Sequence, residues 1–332
     1  MNAEKLHVLQ EVERTVASKM NLLIPVAQSW QPSDFLPDLT CENWREQASE
    51  FRVAALGLSD ELLVSLIGST VTEEALPSYQ TSLNRLDGLT DDTGASSNPW
   101  AQWSRGWTSE ENRHGDLLNR YLYLTGRVDM RSVEVTIQHL IRNGFDPQSS
   151  HDPYNGLIYT SFQERATRLS HAKVAQLSRQ AGESALGKIC NTIAGDEARH
   201  EEAYKCFMAR VFELDPEGAM LAMQTMFTRT IKMPAHLMSD GSSNDVFACF
   251  SRVAQGLGIY TLSDYVDIME HLIETWGIAK LSLSGKAAEA QNSIARMPDY
   301  YRRRIGSIES KTAAQPLMPY PWIAKRTVGV TR

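Results

Sequence analysis

The chain has 332 residues, 33 Lys and Arg against 40 Asp and Glu, a formal charge of −7 and 42% apolar residues. That composition can bury a large core, and it argues against disorder and against broad nucleic-acid binding. No apolar run approaches the ~18 residues of a membrane span, and four scattered cysteines without a Cys-x-x-Cys pair predict a reducing compartment and no disulfide framework.

Met1–Lys5 has neither the apolar core of a secretory signal nor the Ser/Arg-rich character of a transit peptide, so the expected location is cytoplasmic. The acidic balance is uneven: residues 276–332 carry ten basic against three acidic side chains. A face for an acidic partner and an ordinary solvated surface both fit that asymmetry.

Residues 1–30 hold one helical pattern, with the stripe Leu6, Leu9, Val12, Val16 and Met20. Its Glu4-x-x-His7 pair lies near the chain end without a long apolar stripe, and is expected to be exposed. Prolines make Trp30–Asp38 a loop. Helical patterning resumes from Asn43 to about Leu58, and Asp60 is a plausible N-cap for a helix presenting Leu62, Leu66, Ser69, Glu73 and Leu76 on one face. Pro77 cannot donate to the carbonyl of Glu73, so that helix should kink beside the Glu. Glu74 is turned ~100° away from the stripe.

After a loop at Thr90–Asn98 come Trp100, Trp103 and Trp107, then Glu111-Asn112-Arg113-His114 on a stripe continuing through Leu118, Tyr121 and Leu122. Thr108-Ser109-Glu110-Glu111 also fits a capping box, in which Glu111 would only close a helix start. A helix over Arg131–Ile141 ends at Gly144. The next, Pro153–Arg179, places Leu157, Ser161, Glu164, Thr167/Arg168 and His171 along one side, and Glu164 is its only acid. Ion pairing with a neighbouring Arg is the alternative for Glu164. His171 reads as a hydrogen-bonded structural histidine.

The stretch Ser184–Val211 is amphipathic through Leu186, Ile189, Cys190, Ile193, Tyr204, Met208 and Val211, but its central stripe positions are Glu197 and His200. A carboxylate and an imidazole on a buried face need a partner, and a metal ion satisfies both. Pro216–Ile231 follows, with Asp215 as N-cap and a filler stripe of Met220, Met223 and Met226. A polar loop at Ser239–Asn244 and two or three further helices lead to about Glu309. No stretch alternates like a strand. The expected fold is all-α, one domain over 1–332, with 1–20 and 313–332 at its periphery.

The charged stripe positions repeat. Glu73 precedes Glu111-x-x-His114, and Glu164 precedes Glu197-x-x-His200, so four helices offer four Glu and two His. Di-iron and di-manganese helical bundles present their ligands in this arrangement. Carboxylate-rich O/N ligation suits iron or manganese better than structural zinc, and four carboxylates balance two divalent cations.

Thr72–Thr81, Trp107–Asp116, Tyr159–Thr167 and Asp196–Glu201, with Lys232–Met238 and the Trp30-Gln31-Pro32 loop, resemble the signature blocks of soluble acyl-[acyl-carrier-protein] desaturases of the stearoyl type. The likeness covers roughly residues 20–325. It implies a ferritin-like helical bundle, a homodimer, and two iron ions held by Glu73, Glu111, His114, Glu164, Glu197 and His200. It further implies O2 and a ferredoxin-type donor, an acyl-carrier-protein substrate, and a cis double bond as product. By the same resemblance Thr167 lies near the oxygen site, Asp196 and Trp30 back His114, and Ser82, Arg85, Leu86 and Gly156 line the substrate slot. The chain is then bacterial or a trimmed plastid-type one. Ser82 and Arg85 stand where stearoyl-type relatives usually have Met and Thr. Arg85 is expected either to shorten the slot or to reach the surface. Two other readings remain: a hydroxylase acting on a carrier-bound substrate, and a ferritin-type iron store.

Overall fold

The computed structural model describes residues 3–242, 245–312, 318–323 and 327–328. Residues 243–244 of the expected polar loop, and 313–317, 324–326 and 329–332 of the tail, lie outside the described residues. The helices are α1 (Ala3–Ser18), α2 (Trp44–Ala55), α3 (Asp60–Glu74), α4 (Leu76–Leu83), α5 (Pro99–Thr125), α6 (Met130–Asn143), α7 (Pro153–Gln180), α8 (Ser184–Leu214), α9 (Pro216–Thr228), α10 (Val246–Gly256), α11 (Leu262–Thr275) and α12 (Gly285–Thr312). Among the described residues the only strands are a two-residue antiparallel pair, Met318–Pro319 with Thr327–Val328. The all-α expectation holds. No single helix among the described residues is long and apolar enough to cross a membrane.

Local chemistry sets the helix ends. Ser59, not Asp60, caps α3, its hydroxyl accepting from the Leu62 amide at 3.2 Å. The break expected at Pro77 is present, since α3 stops at Glu74 and α4 begins at Leu76. Asn98 caps α5 by accepting from the Trp100 amide at 2.8 Å, and Pro99 takes the first-turn position. This early start puts Trp107 and Glu111 well inside the helix, and so removes the capping-box alternative for Glu111.

Helices α3, α5, α7 and α8 form the central bundle, with α7 and α8 joined as a hairpin through Gly182, whose φ of +82° suits glycine. Around it, α1 lies on α5 and α8, α9 on α7 and α8, α11 on α7, α12 on α9 and α11, and α6 and α10 on α3. Two apolar clusters fill the bundle. One gathers Trp103, Trp107, Phe162, Tyr204 and Phe207; the other gathers Leu66, Ile67, Leu118, Tyr121, Val174 and Ile189. Helices α5, α7 and α8 pass from one cluster to the other, α3 lies along the second and ends at Glu74, and their charged residues occupy the layer between. Beside that layer, a Cβ on Gly115 would come within 3.2 Å of the Glu73 and Glu74 backbone, so glycine lets α5 approach α3 closely.

The chain ends are less peripheral than expected. Val8, Leu9, Val12 and Val16 of α1 are buried in the first cluster. In the tail, Tyr320, Trp322 and Ile323 are buried in the second, because three large apolar side chains follow its prolines and find a groove beside α6. Trp322 Nε1 donates to Thr136 Oγ1 at 2.9 Å, and the Asp129 amide donates to the Trp322 carbonyl at 2.7 Å. Trp322→Ala should therefore cost about 3–5 kcal/mol, read as a lower urea midpoint and melting temperature. A surface-only tail would leave both unchanged.

Candidate metal centre

Each central helix delivers its charged side chain to the same layer. Glu73 comes from the last turn of α3, Glu111 and His114 from the middle of α5, Glu164 from the middle of α7, and Glu197 and His200 from the middle of α8. All six are buried, the two imidazoles completely. They form two overlapping groups, Glu73–Glu111–His114–Glu197 and Glu111–Glu164–Glu197–His200, whose potential ligand atoms lie within 4.8 Å of one another. His114 Nδ1 is 3.3 Å from Glu111 Oε2, 3.4 Å from Glu197 Oε1 and 4.0 Å from Glu73 Oε2. His200 Nδ1 is 2.8 Å from Glu111 Oε1 and 3.5 Å from Glu164 Oε2. The two rings stack at 6.3 Å between centroids.

Five inward atoms, Glu111 Oε1, His114 Nδ1, Glu164 Oε2, Glu197 Oε1 and His200 Nδ1, are buried without a hydrogen-bond partner. Unsatisfied buried polar atoms cost too much to converge by accident. Glu201, one residue along, shows the alternative. Its buried carboxylate is met by Arg165 at 2.8 Å, Arg168 at 2.7 Å and Lys205 at 3.1 Å. The inward cluster has no such cations. Burial instead pushes the Glu73 carboxyl up and the Glu164 carboxyl well above its usual range. Burial also disfavours charge on Glu111, but His114 and His200 outweigh it and hold that carboxyl low. Both imidazoles are lifted well above their usual range against the effect of burial, by Glu111 and Asp196 at His114 and by Glu110 and Glu111 at His200. Protons thus supply the counter-charge that divalent cations would replace. The donor set fits a carboxylate-bound metal pair.

A second layer orients the imidazoles. Asp196 Oδ2 lies 3.2 Å from His114 Nε2 and accepts from Trp30 Nε1 at 3.0 Å, so the expected Trp30–Asp196–His114 chain is assembled. Glu110 Oε2 lies 3.0 Å from His200 Nε2. Each histidine is therefore backed by the acid that precedes the ligand-type Glu of the other motif. With Nε2–H given to a carboxylate, Nδ1 is left free toward the cluster. Arg199 Nη2 donates to Glu110 at 2.9 Å and to Asp196 at 2.8 Å, and Arg113 Nη2 donates to Asp196 at 3.3 Å. Sequence reasoning missed Glu110, Arg113 and Arg199. The signal was present in the matched pair Glu110-Glu111-Asn112-Arg113-His114 and Asp196-Glu197-Ala198-Arg199-His200. His171 is buried and hydrogen-bonded, as expected of a structural histidine, and its partner is a ligand-type carboxylate, with Nε2 2.9 Å from Glu73 Oε1. The Glu4/His7 pair is exposed on α1, as expected.

An apolar cavity of about 80 Å³ adjoins the cluster, walled by Leu76, Leu83, Leu86, Phe145 and Tyr159. Ser82, Leu86 and Gly156 line it; Thr167 lines it too, with Oγ1 donating to the Gln163 carbonyl at 3.0 Å. At Thr72, Glu73, Thr167 and Pro234 it meets a second apolar cavity of about 310 Å³ that runs beside α10 and α11. Arg85 is not in this slot. It is exposed, in an adjoining cleft with His151 and Arg229 that shares Ser82, Phe145, Pro147 and Ser149 with the slot, its long side chain carrying the guanidinium toward water. Of the two expectations for Arg85, its exposure agrees with the one that takes the side chain to the surface.

Two measurements check the centre. Metal binding should release protons and weaken as pH falls, since the raised imidazole and carboxyl groups must lose protons to ligate; calorimetry in buffers of different ionisation enthalpy reads this directly. Glu110→Ala should lower metal affinity about 10–100-fold, read by chelator competition, because His200 loses its orienting carboxylate.

With this geometry in hand, the comparisons with known proteins are specific. The sequence profile of the "Fatty acid desaturase" family matches residues 4–324. The chain is 48% identical over 332 residues to an acyl-[acyl-carrier-protein] desaturase of Cucumis sativus, covering 99% of this chain and 83% of the relative. It is 48% identical to stearoyl-[acyl-carrier-protein] 9-desaturase 1 of Arabidopsis thaliana, covering 99% and 84%. It is 50% identical over 318 residues to an acyl-[acyl-carrier-protein] 6-desaturase of Thunbergia alata, covering 96% and 81%. The X-ray structure of DesA2 from Mycobacterium tuberculosis H37Rv shares the fold, with a TM-score of 0.54 and 20% identity over 82% of this chain and 96% of that one. Six buried Glu and His side chains on four helices, set in a sequence matched from end to end, make this chain a member of the fatty acid desaturase family.

Proposed function

We propose that this enzyme introduces a cis double bond into an acyl chain carried on acyl carrier protein, using two iron ions, O2 and electrons from a ferredoxin-type donor. The observation that carries the reading is the convergence of buried carboxylates and imidazoles beside an apolar slot, with the four Glu on its wall. Glu73, Glu111, His114, Glu164, Glu197 and His200 are the proposed ligands. Glu111 and Glu197 belong to both groups and would serve both metal positions as ligands. When bound, an oxygen-reactive iron pair supplies the oxidising power needed at an unactivated C–H bond, which side-chain acid–base chemistry cannot provide.

The chain's own residues do the rest. Leu76, Leu83, Leu86 and Tyr159 hold the acyl chain and exclude water, placing adjacent methylenes against the cluster. Asp196 and Glu110 fix the imidazole tautomers, and Trp30 holds Asp196 in place. Thr167 presents a hydroxyl at the point where the two cavities meet, beside Glu73, and is the proposed polar group near the oxygen site. A cytoplasmic homodimer accompanies this reading. The iron-store alternative is disfavoured by full-length similarity to desaturases.

An aerobic assay with reduced ferredoxin and a panel of acyl carrier substrates tests the reading. Desaturation removes two hydrogens from the product mass, and hydroxylation adds one oxygen. Gly156→Leu gives a second check. A Cβ there would sit 2.4 Å from Leu86 Cδ1, so the larger side chain must fill the slot. It should lower kcat/KM for the longest accepted chain at least tenfold relative to shorter ones, a difference of about 1.4 kcal/mol.

A further inference from the structure

The two outer carboxylates of the centre are held in unlike ways. Glu164 stands mid-helix in α7, and its Oε1 accepts from Trp107 Nε1 at 2.9 Å. An indole N–H only donates, and the Trp107 ring is itself wedged edge-on against His200 and Tyr204, 6.4 and 6.5 Å between centroids. Glu164 Oε2 is thereby left free and aimed inward. Glu73 stands in the last turn of α3, against the break before Pro77. Gly115 of α5 packs closely against its backbone, where a Cβ would come within 3.2 Å of the Glu73 carbonyl carbon. Among the described residues its one hydrogen-bond partner is His171, with Nε2 at 2.9 Å from Oε1. His171 is buried, and the hydrogen bond of its ring is the one to Glu73.

We propose that His171 is a positioning residue for Glu73, and that the two metal positions are built unequally. The Glu164–His200 position is fixed in advance by a rigid donor. The Glu73–His114 position is completed by a carboxylate whose placement depends on His171. The Glu164 side should then fill first, and the Glu73 side second and more weakly. This inference rests on the metal-centre reading above.

Anaerobic titration of the metal-free full chain with Co(II), followed by visible absorption, tests it. The wild type should bind two ions in two resolved steps. His171→Leu should weaken the second step about 10–100-fold and leave the first unchanged. His171→Gln, which keeps an N–H able to reach Glu73, should recover most of the loss and guards against a misfolded Leu variant. Trp107→Phe should weaken the first step instead. If His171→Leu shifts both steps equally, shifts only the first, or shifts neither, the proposal is overturned while the metal centre stands. If the wild type binds no cobalt, the metal centre itself is overturned.

Discussion

Four carboxylates cannot share a dry interior without a counter-charge, and the architecture of this protein follows from that constraint. Taking one anion out of water costs several kcal/mol even after relaxation, and like charges add repulsion. Glu73, Glu111, Glu164 and Glu197 are nevertheless held together between two apolar clusters, each on a separate helix. Long helices are the scaffold that tolerates this, because their backbone groups are satisfied internally and only the side chains need an answer.

The support around the cluster is reciprocal. The motif on α5 supplies a histidine oriented by the motif on α8, and the reverse holds as well. The two arginines then tie both backing acids into one network. Neither half is complete alone, so the geometry of one imidazole is coupled to the other through groups that would never touch a metal. The apolar slot beside the cluster completes the division of labour, with carboxylates on one wall and apolar side chains on the other.

Much of this was legible in the sequence because helical periodicity converts spacing into direction. An ionisable residue on an apolar stripe is conspicuous, and Glu111, His114, Glu197 and His200 were found on that ground alone. Glu73 and Glu164 needed the repeat of the pattern to distinguish them from surface acids. The misses share one cause: contacts between helices have no spacing rule. Glu110 and Arg199 lie off the inward stripe and become functional only when α5 meets α8. His171 was read as a hydrogen-bonded histidine, and only the meeting of α3 with α7 shows that its partner is Glu73. Arg85, put at the slot by the resemblance alone, is exposed in the cleft beside it, as the surface alternative expected. The burial of Trp322 escaped because a proline-containing tail carries no period.

The stretch between α1 and α2 holds only two single 3-10 turns, Met20–Leu22 and Pro32–Asp34, yet it closes the back of the network. Arg199 Nε donates to the Leu22 carbonyl at 2.9 Å, the Ile24 amide donates to Glu110 Oε1 at 2.6 Å, and Arg113 Nη1 donates to the Trp30 carbonyl at 2.6 Å. Residues 22–30 are thus a strap whose own peptide groups complete the hydrogen bonding of the acids and guanidiniums behind both histidines. Peeling it away would hydrate those charges and loosen the imidazoles without altering a single inward side chain. The electrostatic insulation of the centre is therefore carried by a loop, and its integrity depends on the part of the chain that helical patterning describes least.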